Sequence, residues 1–548
     1  MFVRIKRTPN SPKTAVQIVE SVRLGPKVSQ KIVRHIGYAL DEQEITQLKM
    51  LAEMIKIKLE SGNQQLLFPP EDLARLQKRS APTYPDNKYI VNVKELYEHS
   101  RVITGIHDIY GALFDQLGYA DIFENPTQQK KLVETFRHVV LARIANPKSK
   151  LASVSMLEEN FGVTLNLQYV YRMMDHLDEK TIEKLNEITY QNTLSLFGEK
   201  IDIIFFDATT IYFESFNSDE LRDMGFSKDL KFNQPQVLLC MMVTKKGMPI
   251  GYKVFPGNIY EGHTLIPMLN DLKKRYAIDK VIFVADSGIF NKENIEELEK
   301  SKFEYIVGAR LKNLSDKLKE KILNRKHYQG NDEFRVACFE DNTGKKIVVS
   351  YKADRARKDA YERDKAVDRL KKKLENKKNP KEYLANYGYK KFLKVDGNSH
   401  IELDEKKIEE SKLWDGLHGV ITNAQNISDR EILQQYSNLW HIEESFRITK
   451  HDLKVRPIFH WNSSRIKAHL AICFTAYVLV RHLEYRVRLQ YKKISIEKIR
   501  QLLIEVQTSI LYHLKNNLCF ALPSHISQEA KKIYQIMKVS RSSTPSII

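Results

Sequence analysis

Two short stretches constrain this chain more than any other feature. In IIFFDATT, residues 203–210, four large apolar residues run straight into Asp207. In VIFVADSGIF, residues 281–290, Val281 to Val284 form a second apolar run that delivers Asp286 just ahead of a Ser-Gly turn. Apolar runs of this length, bounded by turn residues, read as buried strands. A carboxylate at the end of such a strand is costly to bury unless something neutralises it or it has a use. Taken singly, Asp207 could bond the backbone of the next turn, and Asp286 could cap the helix that follows. Taken together, two strands that each end in an acid can present both carboxylates at one edge of one sheet, where α/β folds place their ligands.

A third acid lies in YSNLWHIEESFRITKHDLK, residues 436–454, which reads as part of one long helix from about Asp429 to Leu453. On that helix Glu443, Arg447, Lys450 and Lys454 fall on one face, and Ile442, Phe446 and Leu453 mark the neighbouring buried face. A surface Glu443–Arg447 pair would contribute only a few tenths of a kcal/mol. Its alternative is an acid placed among DNA-gripping cations. Glu444 sits about 100° further round the helix, so Glu443 is preferred because it shares the face of Arg447 and Lys450. Trp440, between Leu439 and Ile442, reads as a core-packing residue, with stacking on an extruded base as the other possibility.

Phosphodiester chemistry accounts for such a set. Charge must be neutralised on the attacking oxygen, the leaving oxygen and the phosphate, which two divalent ions roughly 4 Å apart accomplish. Hard ions such as magnesium take carboxylate oxygens, so Asp207, Asp286 and Glu443 suit as ligands, with Arg447, Lys450 and Lys454 holding the DNA backbone beside them. Composition agrees: 88 Lys and Arg against 69 Asp and Glu leave a formal charge of +19, which favours nucleic acid ahead of an acidic membrane. A lysine-rich composition without binding consequence is the plainer reading of that charge. The 4 cysteines form no CxxC pair, which argues against zinc and for a reducing compartment. MFVRIKR lacks the apolar run of a signal peptide. The longest apolar stretch, LAICFTAYVLV, falls short of the roughly 20 residues a membrane span needs and reads as a core helix. A soluble, cytoplasmic protein is expected.

A chain of 548 residues suggests several domains. Residues 1–60 read as a small basic β-sheet plus a helix striped by Leu48, Leu51, Met54 and Ile55. The sheet is either a solvated edge or a DNA-gripping arm. Residues 61–100 read as a linker, and 101–198 as a helical DNA-binding domain. There VSMLEENFGVTLNLQYVYRMMDHLDE suits a helix-turn-helix or an ordinary helix pair. Residues 199–310 read as the first part of a mixed α/β core. An insertion, 311–414, holds the strand pair FRVACFED and KKIVVSYK and a charged, solvated helix from about Asp354 to Lys378. Residues 415–485 resume the core with the Glu443 helix, and 486–548 read as C-terminal helices and a frayed tail, SRSSTPSII.

The order strand-Asp, strand-Asp, insertion, helix-Glu resembles the RNase H-like core of the DDE transposases encoded by bacterial insertion sequences. The helix is similar to their Y-(2)-R-(3)-E-(6)-K signature, with Tyr436, Glu443 and Lys450 in register. Leu439 stands where the signature has Arg, so that contact is either missing or supplied by another residue, with Arg447 as the candidate. QVLLCMMVTKKGMPIGYKVFPGN, ADSGIFNKENI, IEESFR and the basic three-strand opening add to the likeness. It implies an α/β RNase H-like core, a mixed sheet flanked by helices, with a β-containing insertion close to the DNA, a small N-terminal β-sheet and an all-α DNA-binding region. It implies Asp207, Asp286 and Glu443 as catalytic residues and metal ligands for two Mg2+ ions, with Mn2+ substituting. Tyr436 and Lys450 become contacts to phosphates of the element's ends. The implied partners are double-stranded DNA, as inverted ends and as target, and a second copy of the chain; the implied place is the bacterial cytoplasm. The implied reaction is metal-dependent strand cleavage at the ends followed by 3′-hydroxyl strand transfer. In the absence of metal the acids are expected to be more widely spread than a loaded site requires. Two other readings are a stand-alone nuclease of the same fold and a non-catalytic DNA-binding descendant; the retained acids argue against the second.

Overall fold

The computed structural model describes residues 1–7, 13–24, 27–39, 41–60, 91–125, 127, 129–197, 201–215, 217–227, 231, 233–275, 281–288, 292–375, 391–395, 401–515 and 517–548. Most of the expected 61–100 linker and the last three residues of the expected charged helix lie outside them. The chain divides into two compact units, Met1–Leu96 and Tyr97–Ile548.

In the first unit, β1 (Phe2–Arg7), β2 (Thr14–Leu24) and β3 (Lys27–Ala39) form an antiparallel sheet in that order. Val16 and Ile18 on β2 are buried under α1 (Glu42–Glu60), which brings Leu48, Ala52 and Ile55 against them. Leu51, expected on that stripe, is exposed. Spacings of four and three along the helix put Ala52 in its place.

The larger unit opens with β4 (Leu96–Ile103) and the helices α2 (Lys130–Ala145), α3 (Lys150–Phe161), α4 (Leu167–Asp175) and α5 (Glu179–Phe197). Next come β5 (Ile203–Tyr212), β6 (Gln236–Thr244), β7 (Pro249–Pro256), α6 (Leu265–Arg275), β8 (Ile282–Ala285), α7 (Lys292–Lys300) and β9 (Glu304–Gly308). Residues 311–414 contribute β10 (Gln329–Gly330), β11 (Phe334–Glu340), β12 (Lys346–Lys352), α8 (Ala353–Glu375) and a separate pair, β13 (Leu393–Val395) and β14 (Ile401–Leu403). With β15 (Leu417–Thr422), nine strands form one mixed sheet in the order β10-β11-β12-β15-β9-β8-β5-β6-β7. The neighbours β5, β8 and β9 run parallel, and every other pairing is antiparallel.

Both faces of the sheet are covered. Ile204, Phe206 and Ala208 of β5 pack in the layer that holds Leu265, Met268, Leu269 and Leu272 of α6 and Leu298 of α7. Ile203, Phe205 and Ile211 point the other way, into a core shared with α9 (Asp429–Ser437), α10 (Trp440–Arg447), α11 (Ser463–Gln490) and the α2–α4 helices. The continuous helix expected over 429–453 is broken twice. Asn438 ends α9, its backbone amide bonding the Gln434 and Gln435 carbonyls at 3.1 Å each. After Arg447 the chain winds as a π-helix over Ile448–Asp452, and the Leu453 amide bonds the Ile448 carbonyl five residues back at 2.9 Å.

α11 is the one helix among the described residues that is long and apolar enough to cross a membrane, and 94% of its most apolar window is buried inside the protein. It serves as a core helix. Beyond it the expected run of helices is interrupted. After α12 (Ile496–Ile504) come β16 (Gln507–His513) and β17 (Cys519–Pro523), then α13 (Gln528–Met537) and β18 (Ser546–Ile547), in a four-stranded sheet ordered β18-β17-β16-β4. The tail is therefore paired, not frayed. The partner strand β4 lies at the opposite end of this unit's sequence, so the local pattern could not reveal the pairing. Leu479 is fully buried in the middle of α11. Leu479→Ala is expected to destabilise this unit by about 2–5 kcal/mol, read as a lower denaturation midpoint; an unchanged midpoint would remove α11 from the core.

Candidate active site

β5 and β8 lie side by side with Ile203 opposite Ile282 and Phe205 opposite Val284. Carried two residues on, that register sets Asp207 beside Asp286, on strands ~4.8 Å apart. Side chains alternate along a strand, so Asp207 shares the face of Ile203 and Phe205, and Asp286 that of Ile282 and Val284. Those four apolar residues all belong to the core beneath α10 and α11. Glu443 sits in the first turn of α10, which packs on β5 and β6. The three acids line one cleft of about 840 Å³. Asp207 is half-buried there, and Asp286 and Glu443 are exposed. Asp207 accepts a bond from the Ala208 amide at 2.8 Å, and Asp286 one from the Ser287 amide at 2.7 Å.

Tyr436, near the end of α9, donates its hydroxyl to Asp286 Oδ1 at 3.2 Å. Burial first, and then the Asp286 carboxylate, push its phenol well above the ordinary range, so it remains a donor. Gly308 at the end of β9 makes room for it, because a Cβ there would collide with the Tyr436 hydroxyl. The His418 ring packs on Tyr436 with centroids 5.0 Å apart. Burial, with help from Arg355 and Lys352, pushes the His418 imidazole down to about 4, so it is neutral near pH 7. Arg310 bonds the Ser287 carbonyl at 3.0 Å and the Tyr260 hydroxyl bonds the Gly288 carbonyl at 2.9 Å. Together they pin the turn that follows Asp286.

The cations anticipated beside Glu443 lie elsewhere. Arg447 turns to Glu444 at 3.9 Å and Asp452 at 3.5 Å. Lys450, within the π-helix, lines a second cleft. Lys454 has left the helix altogether, at φ +43°, and its carbonyl accepts a bond from Arg143 at 3.2 Å. Lys352, Arg355 and Arg430 line the acid cleft instead. Nothing in the sequence pattern pointed to Arg355, whose helix reads as solvated throughout. Its place follows from β12 joining the main sheet and delivering α8 to the cleft. Glu444 is distinguished from Glu443 by its surroundings, since Arg481 approaches it at 3.7 Å. Trp440, expected in the core, is 49% exposed and lines the cleft beside Glu443, because three residues apart on α10 the two share a face.

Among the described residues, no three His, Cys, Asp or Glu side chains are gathered closely enough to hold an ion. The donor chemistry of the cleft nevertheless fits a hard divalent cation: three carboxylates, no thiol, and a single imidazole occupied with Tyr436.

The model of the Transposase DDE domain matches residues 198–479, just over half of the 548 residues, and that of the IS1634 family transposase N-terminal domain matches residues 3–65. No curated protein matches the chain. Among solved structures, a Mos1 transposase paired-end complex with left transposon end is 15% identical over 46% of this chain and 70% of that one, at a TM-score of 0.14. A Mos1 mariner paired end complex with Mn is 14% identical over 48% of this chain and 78% of that one, also at 0.14. At such scores neither bears on the fold or the function. The two family matches, with acids on adjacent strands and a facing helix, lead to one conclusion: the chain belongs to the DDE-type insertion-sequence transposases, enzymes of metal-dependent DNA transposition.

Proposed function

We propose that this transposase binds the inverted ends of its own element and cuts and joins DNA at the cleft lined by Asp207, Asp286 and Glu443. The observation that carries the reading is that these acids, from two adjacent strands and the helix facing them, line a single cleft. The strand order β7-β6-β5-β8-β9, an antiparallel trio extended by two parallel strands, supports an RNase H-like core. On this reading, residues 101–198 form the helical DNA-binding domain and 311–414 an insertion that reaches the DNA. The protein works as a homodimer in the bacterial cytoplasm.

Asp207, Asp286 and Glu443 would hold two Mg2+ ions, or Mn2+ in their place. Bound there, the ions would supply charge neutralisation for the attacking and leaving oxygens of a phosphodiester. Water adds across the phosphodiester at the element's end, freeing a 3′-hydroxyl and a 5′-phosphate. That hydroxyl then attacks a target phosphate and releases a target 3′-hydroxyl, so each exchange conserves one phosphodiester and needs no energy source. Tyr436 orients Asp286 through its hydroxyl. Lys352, Arg355 and Arg430 hold strand phosphates at the rim, as charged side chains position DNA without reading it. They take the part first sought in Arg447. The exposed Trp440 ring offers a surface on which a displaced base can stack.

Linear DNA carrying the element's inverted ends, mixed with the protein and magnesium, is expected to be nicked at the end junctions and to yield joined products. Random cutting would favour a stand-alone nuclease, and retention without cutting a binding protein. Glu443→Gln is expected to abolish cutting while DNA retention on a gel persists; loss of folding or of retention would give Glu443 a structural role. Tyr436→Phe removes a bond to a charged oxygen, of the order of 1.5–3 kcal/mol, and is expected to slow cutting about tenfold or more. An unchanged rate would detach Tyr436 from the chemistry.

A further inference from the structure

A second cleft, of about 370 Å³, lies where β5 ends. One wall is Tyr212, and the other is the segment that links the π-helix to α11, with Arg456, Phe459 and Trp461. Phe459 and Trp461 are each 64% exposed. Two large aromatics so close in sequence and so open to water are a feature of binding surfaces. Cations stand against two of the cleft's rings, Trp461 and Tyr212. Buried Arg222, anchored to Asp219 at 2.6 Å, lies 5.4 Å from the Trp461 ring centre, and the Arg456 guanidinium lies 4.1 Å from that of Tyr212. Lys450 lines the same cleft, and Glu214 is the one acid among its described lining residues. A tryptophan pinned from one side by a fixed arginine presents its open surface to a planar ligand. Aromatic platforms interleaved with basic groups suit a nucleic-acid strand whose bases are free to stack.

We propose that this cleft holds an unpaired nucleotide of the DNA being processed, its base stacked on Trp461 or Phe459 and its phosphates against Arg456 and Lys450. The inference rests on the DNA-transposition reading of the acid cleft and adds a second contact to it. Tyr212 lies five residues beyond Asp207 on β5, ~17 Å along the strand at ~3.3 Å per residue, a separation that one bound DNA can span. The nucleotide must be unpaired because a base inside a duplex has both π-faces covered by its neighbours. A volume of about 370 Å³ is at the small end of ligand pockets, which run from about 300 Å³, and suits one nucleotide rather than a duplex.

The test uses the full-length protein and fluorescein-labelled duplexes, one blunt and one extended by a short oligothymidylate tail, with affinity read by fluorescence anisotropy. The tail is expected to tighten binding by the unaltered protein. The double substitution Phe459→Ala, Trp461→Ala is expected to weaken binding of the tailed duplex about tenfold, the scale of one lost base stack. Affinity for the blunt duplex should stay within about twofold. Phe459→Tyr with Trp461→Phe should recover most of the loss, and an unchanged melting temperature would show that the fold is intact. Equal losses on both duplexes, or none on either, would overturn the nucleotide site and leave the aromatics to another partner, such as an acidic peptide. Failure of the unaltered protein to bind either duplex would overturn the DNA reading of the acid cleft itself.

Discussion

A pairing of two strands sets the two aspartates of the acid cleft side by side. β5 and β8 are parallel neighbours whose register sets Ile203 against Ile282, and each carries an aspartate at the same distance from that pair. Because side chains alternate, a slip of one residue in either strand would turn its acid into the opposite layer of the sheet. That layer is the packed core of Ile204, Phe206, Phe283 and Ala285, where a carboxylate has no solvent. The apolar residues on both sides of the sheet therefore hold the register, and the register aligns the acids. α10 completes the arrangement by lying on the same face and presenting Glu443.

Around this frame the cleft is organised by charge from distant parts of the chain. Lys352 and Arg355 arrive at the junction of β12 and α8, and Arg430 at the start of α9. Tyr436 ties Asp286 to α9 and Gly308 leaves it space. On the far side of α10, Glu444 faces Arg481, which also meets Glu484 at 3.2 Å and the Gly247 carbonyl at 3.3 Å. Adjacent glutamates on one helix thus have opposite uses. Glu444 joins a half-buried network that fixes the helix, and Glu443 is left facing the cleft.

Much of this was legible from local pattern. The runs IIFF and VIFVA, short, rich in β-branched and aromatic residues and bounded by turn residues, read as buried strands, and their acids stand out against them. The basic three-strand opening was equally plain from its alternation. What local pattern could not carry was long-range pairing and the ends of helices. β16 and β17 find their neighbour in β4, and nothing within QTSILYH or CFALP announces it. The 429–453 helix reads as continuous because its apolar spacing barely notices a break, yet Asn438 and the π-helix shift every residue after them. That shift carried Lys450 and Lys454 away, whereas Arg447, still one turn from Glu443 on α10, is drawn off by Glu444 and Asp452. The cations of the cleft were hidden for the same reason. A charged helix such as α8 looks solvated until the sheet that carries it is known.

The central claim is that Asp207, Asp286 and Glu443 converge on one cation site. The most direct measurement is a crystal structure of the protein with element-end DNA and manganese, with the metal located by its anomalous scattering. The account predicts anomalous peaks in contact with both aspartates and with Glu443. Manganese bound elsewhere, or a complex in which any of the three carboxylates stands apart from the metal, would contradict it.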